Sequence, residues 1–178
     1  MRIYDYIQNE DIATLIKALF DRPQAFSGGT LAAKATSDAD LKTTTTIYLK
    51  IAGRNYIVAA AATIDLSATV AGLAATAGTG VQAAGMYAAY LVCHNGSAFS
   101  CTKGDDAATA ALALAALPAP GAGLCPVGIL VVTNTTNPFI VGTTNSDATG
   151  VTFTCYDIND IPPTYGSGAV YLDTVADA

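Results

Sequence analysis

The chain has one histidine, His94, and acid–base chemistry of the serine-hydrolase kind would have to run through it. Such a base must sit beside a nucleophile and be held in place by a third group. His94 instead precedes Asn95-Gly96, a dipeptide that closes two-residue hairpins, so it is expected in the turn and in solvent. No Gly-x-Ser-x-Gly elbow is present. Gly28-Gly29 and Gly121-Ala122-Gly123 fit neither a phosphate-cradling loop nor a dinucleotide fingerprint. Asp105 and Asp106 are paired carboxylates, but neighbours at a helix start point apart, and they read as acids set against the helix dipole. Asp38 with Asp40, and Asp157 with Asn159 and Asp160, lack the ligand spacing of a calcium loop. They read as turn residues that cap their own backbone. The sequence therefore offers no catalytic residue, no metal ligand and no cofactor site, and it is not read as an enzyme.

The four cysteines, Cys93, Cys101, Cys125 and Cys155, form no Cys-x-x-Cys pair and show no zinc spacing. A two-residue turn at Asn95-Gly96 sets Cys93 opposite Ala98 and Cys101 opposite Tyr90. The two sulfurs then lie on opposite sheet faces, out of reach of a direct bridge. All four read as buried free thiols acting as small hydrophobes. The chain has nine tyrosines but no tryptophan, which weakens a sugar-stacking reading.

The elements that carry these residues are mostly strands. Residues 1–8 read as an extended apolar arm. Asn9 then caps a helix over residues 10–21, with Glu10 and Asp11 against its dipole and one apolar stripe at Ile12, Leu15, Ile16, Leu19 and Phe20. Arg22-Pro23 closes it. That stripe either caps its own domain or docks on a partner or neighbouring copy. Ala25 to Lys42 is small and polar and reads as a linker. A strand follows over 43–50, with Ala52 to Asn55 as a turn and 56–60 as the return strand. Ile64-Asp65-Leu66 reads as a short strand, and 70–80 as mostly loop. Tyr87 to Cys93 and Ala98 to Thr102 form a second hairpin. Asp105 to Leu117 is helix-favouring and ends at Pro118 and Pro120. Pro126 to Thr133 and Phe139 to Val141 read as a third pair, and Val151 to Asp157 as a half-buried strand. After Ile161-Pro162-Pro163 the tail keeps one apolar triplet, Val170-Tyr171-Leu172, suited to adding to a sheet edge. The pattern predicts a mainly β fold: an antiparallel β-sandwich or jelly-roll-like domain with a short N-terminal amphipathic helix and one short Ala-rich helix. It divides the chain into an N-terminal arm, helix and linker (1–42), a β-domain (43–160) and a C-terminal extension (161–178).

The 178 residues are 52% hydrophobic and only 12% charged. Much of the apolar content is Ala, which buries little area per residue. Larger residues (Tyr48, Ile57, Leu91, Phe99, Ile129 and Phe153) must carry the core, or several copies must share one. A net charge of −6, with eight scattered Lys and Arg, argues against nucleic-acid binding. No window of eighteen residues is continuously apolar, so no transmembrane helix is expected. Met1 to Tyr6 lacks the basic and apolar regions of a secretory signal, so synthesis in a cytoplasm is expected.

From Thr43 to Asp157, about two-thirds of the chain, the order of strands and turns resembles a module of tailed-bacteriophage head fibre and capsid decoration (cement) proteins. The residues carrying the likeness are Thr45-Thr46-Ile47-Tyr48-Leu49-Lys50-Ile51-Ala52-Gly53-Arg54-Asn55-Tyr56, the Tyr90-Leu91-Val92-Cys93 strand with its hairpin, and Lys103-Gly104-Asp105-Asp106-Ala107-Ala108-Thr109-Ala110. Leu117-Pro118-Ala119-Pro120-Gly121, leading into Pro126-Val127-Gly128-Ile129-Leu130, completes it. The resemblance implies a virion surface protein without an active site, made in the bacterial host cytoplasm and resident on the capsid. Its expected partners are the major capsid protein and further copies of itself, with a trimer favoured over a dimer. Neither nucleic acid nor membrane is expected as a partner. The N-terminal apolar residues Ile3, Tyr4, Ile12, Leu15, Ile16, Leu19 and Phe20 are the expected capsid or inter-subunit contact. The alternative is a head or tail fibre protein that binds a host-surface receptor.

Overall fold

Long uninterrupted apolar runs in this chain become central strands covered on both faces, and alternating runs become strands with one open face. The computed structural model describes residues 23–35, 38–66 and 81–157. In chain order the strands are β1 (Gln24–Ala25), β2 (Leu31–Ala33), β3 (Leu41–Thr43), β4 (Ile47–Ile51), β5 (Arg54–Val58), β6 (Thr63–Ile64), β7 (Val81–Gln82), β8 (Met86–His94) and β9 (Phe99–Lys103). The helix α1 (Ala110–Ala115) precedes β10 (Cys125–Asn134), β11 (Phe139–Ile140) and β12 (Val151–Asp157). The fold is mainly β, every pairing is antiparallel, and the described helix is short.

The central sheet has the order β12-β10-β8-β9. One face, with Ala88, Tyr90, Val92, Cys101, Leu130 and Val132, packs on two three-stranded sheets, β1-β4-β5 and β2-β3-β6, through Leu41, Ile47, Leu49 and Ile64. The opposite face, with Ala89, Leu91, Cys93, Ile129 and Val131, lies under Ala113, Leu114 and Leu117 of the α1 region. These three layers bury β8 and β10 almost completely, whereas β12, at the sheet's edge, alternates half-buried with exposed residues over its first half. Pro126 sits in β10 next to a bulge, between Pro126 and Gly128, where a missing N–H costs no regular ladder bond. A Cβ on Gly128 would lie 2.7 Å from both Leu31 Cδ1 and the Tyr156 carbonyl, so only glycine lets β2 and β12 close on β10.

Several expectations are corrected here. The run expected to be one strand over 43–50 is two. Thr43 ends β3, fully buried, and its hydroxyl donates to the Ala59 carbonyl and accepts from the Ala62 N–H, each at 3.1 Å. The segment expected to be a linker supplies β1 and β2, and β3 runs across the boundary placed at 42/43. The third pair does not form: β10 pairs with β8 and β12, while β11 pairs with β7. The Asn95-Gly96 loop has four residues, because Asn95 Oδ1 accepts from the N–H groups of Ser97 and Ala98 at 2.8 Å each and Asn95 N–H donates to the Ala98 carbonyl. Cys93 therefore pairs with Ser100 and Val92 with Cys101, though the two sulfurs still face opposite layers. The helix expected over 105–117 starts only after its N-cap Thr109 and has no acid in its first turn. The helix of residues 10–21, the loop of 70–80 and the tail after Asp157 lie outside the described residues.

Candidate interaction surface

In β4, Ile47, Leu49 and Ile51 are buried, so the intervening Tyr48 and Lys50 belong to the other face of the strand. Ala52 and Gly53, both with positive φ (49° and 76°), close a two-residue turn onto β5. This register sets Tyr48 opposite Ile57 and Lys50 opposite Asn55. On the other side β1 pairs Gln24 with Lys50, and Phe26 N–H donates to the Tyr48 carbonyl at 2.8 Å, extending the ladder by one residue. The outward face of this sheet thus carries a polar row, Gln24, Lys50 and Asn55, and an apolar row, Phe26, Tyr48 and Ile57. The apolar row is 61%, 50% and 70% exposed. Tyr48 and Ile57 were expected in the core, and the register places them on the outward face instead. The signal was present: Lys50 shares its face with Tyr48, and a two-residue turn fixes Ile57 beside it.

Next to Ile57 the surface dips into a groove of about 480 Å³, lined by residues that include Val58, Thr63, Asp65, His94, Ala98 and Phe99. His94 does not stand in the turn. It is the last residue of β8, only 6% exposed, with its ring 4.8 Å from Phe99 in edge-to-face contact. Its Nδ1 accepts the Gly96 N–H at 3.0 Å, which places the ring proton on Nε2, and burial lowers its pKa below 6.5. The imidazole is a packed, neutral group with its loop-side nitrogen already used.

Asp38 Oδ1 accepts the Asp40 N–H at 2.9 Å, and Asp40 Oδ1 accepts the Leu66 N–H at 3.2 Å. Lys34 pairs with both carboxylates, at 3.5 and 3.2 Å. Asp106 pairs with Lys103 and accepts the Ala83 N–H at 2.8 Å. These acids hold turns, and no group of three His, Cys, Asp or Glu able to hold a metal occurs among the described residues. The four cysteines are free thiols, three buried and Cys155 half-buried. Burial pushes Cys93 up to about 12 and Cys125 and Cys155 up to about 11, so each stays protonated and unreactive at neutral pH.

The apolar N-terminal residues singled out from sequence, Ile3, Tyr4, Ile12, Leu15, Ile16, Leu19 and Phe20, lie outside the described residues. Sequence reasoning missed Phe26 altogether, because it sits in a stretch that reads as a linker. No helix among the described residues is long and apolar enough to cross a membrane. No family model, no curated protein and no solved structure matches the chain.

Proposed function

We propose that this protein is a structural component of a phage virion that decorates the assembled capsid and stabilises it as a homo-oligomer, a trimer before a dimer. The observation that carries the reading is the exposed apolar row of Phe26, Tyr48 and Ile57 on an otherwise orderly sandwich-like body. Contiguous exposed apolar side chains mark an interaction surface in a chain that folds without them in its core. The strand-and-turn resemblance of residues 43–157 supplies the kind of partner, and the low charge suits packing in a lattice. Each bound copy would add buried area across joints that internal pressure pulls apart, and many weak contacts would act together by mass action.

The contact region comprises the N-terminal apolar residues, from Ile3 and Tyr4 to Ile12, Leu15, Ile16, Leu19 and Phe20, which precede Phe26 in the sequence. Co-sedimentation with purified shells that lack this protein tests the assignment. Deleting residues 1–22 is expected to abolish binding while the β-domain keeps its circular dichroism spectrum. Shells that still take up the truncated protein would overturn it. The groove beside His94 favours a second reading, a head or tail fibre that binds a host receptor. Copy number separates the two, since a fibre is scarce and a cement protein is abundant.

A further inference from the structure

One outward face breaks the alternation that an antiparallel sheet with a solvated side should show. In the β1-β4-β5 sheet the row of Gln24, Lys50 and Asn55 obeys it, and the row of Phe26, Tyr48 and Ile57 does not. Side chains of this size, half or more exposed, leave on the order of 300 Å² of apolar surface open. A stable interface buries about 800 Å² on each partner, so a second copy laid face to face on this row alone would be poorly held. One short amphipathic element fits the area better. The chain already uses that device once, where Ala113, Leu114 and Leu117 cover Leu91 and Ile129 on the far side of the molecule.

The segment that precedes β1 has the matching surface. Pro23, the first described residue, stands three positions before Phe26. Directly upstream, the sequence of residues 10–21 sets Ile12, Leu15, Ile16, Leu19 and Phe20 at helical spacing. Twelve helical residues would extend about 18 Å, against about 10 Å for a row crossing three strands. Alone, a helix of that length is marginal in water and needs a surface to form against. We propose that this stripe docks on the Phe26–Tyr48–Ile57 row of its own protomer and forms the outer cover of the β1-β4-β5 sheet. Ile3 and Tyr4 are then the apolar residues of the arm left for a partner. The inference does not rest on the capsid reading. It makes the row and the stripe internal to the protomer and so leaves only Ile3 and Tyr4, of the residues proposed above, for the capsid contact.

The test uses the isolated full chain. Because the protein contains no tryptophan, Tyr48→Trp installs a single reporter at the centre of the row. Its emission is expected to be blue-shifted, protected from acrylamide and independent of protein concentration. Adding Leu15→Asp and Leu19→Asp is expected to shift it red and raise the quenching constant severalfold, with the β-sheet circular dichroism unchanged. An emission already exposed in the full chain would overturn the proposal. So would protection that grows with concentration, which would identify a second copy, or protection indifferent to the two stripe substitutions, which would identify another segment. None of these readouts involves a capsid, so failure here leaves the decoration reading as it stands, whereas success moves the capsid contact away from the row.

Discussion

Protonating His94 costs the folded chain in two ways, by charging a buried ring and by turning its Nδ1 from an acceptor into a donor facing the Gly96 N–H. The folded pKa is lowered, so the unfolded chain binds the proton more readily. Stability from this group is therefore complete above the unfolded value of 6.5 and is lost as pH falls through the lower folded value. Urea unfolding is expected to show a falling midpoint below about pH 6.5, and His94→Gln should flatten the profile down to about pH 5, where carboxylates take over. A wild-type midpoint that is flat across that window would show that the ring is solvated. Tyr90 poses the opposite case. Its hydroxyl is buried with no hydrogen-bond partner among the described residues, and burial raises its pKa. An unpaired buried hydroxyl costs about 1–3 kcal/mol, so Tyr90→Phe should be neutral or stabilising by about 1 kcal/mol in the same assay. A loss of that size would instead reveal an internal partner.

Among the elements, the β4–β5 hairpin was legible in outline because what fixes it is local, alternation in Ile47 to Ile51 and a glycine turn. The turn was expected over Ala52 to Asn55, but Ala52 and Gly53 alone close it, and Arg54 and Asn55 already belong to β5. Its weak point is Ala52, a non-glycine residue at φ 49°. Ala52→Asn, a residue that tolerates this conformation, should raise unfolding stability by about 0.5–1 kcal/mol, while Ala52→Val should lower it by more. Equal effects from the two substitutions would mean that the turn relaxes out of the left-handed region. Helix α1 shows the limit of composition. Ala and Leu predicted a helix, but its start is set by Thr109, whose hydroxyl accepts the Leu112 N–H at 3.2 Å, and not by Asp105 and Asp106. The failed third pair has a similar cause. Proximity suggested that β10 would turn back onto Phe139, yet β10 finds its partners in β8 and β12, and Phe139 seals the core between Tyr90 and Phe153. Pairing across tens of residues leaves no local mark in a sequence.

For the molecule as a whole, the mainly β, antiparallel character was readable from regularly spaced strands and turns. The layer arrangement was not, because it depends on which apolar runs find each other. The candidate surface was not legible, because the row required the register of three strands, one of them hidden in a segment that looks like a linker. The N-terminal stripe is a pattern in the sequence that lies outside the described residues. The central claim is that this body decorates a capsid, and the most direct test is quantitative mass spectrometry of purified virions against the major capsid protein. The decoration account predicts an abundance comparable to that of the capsid protein. Complete absence from the particle would contradict it, and trace abundance would move the protein to the fibre reading.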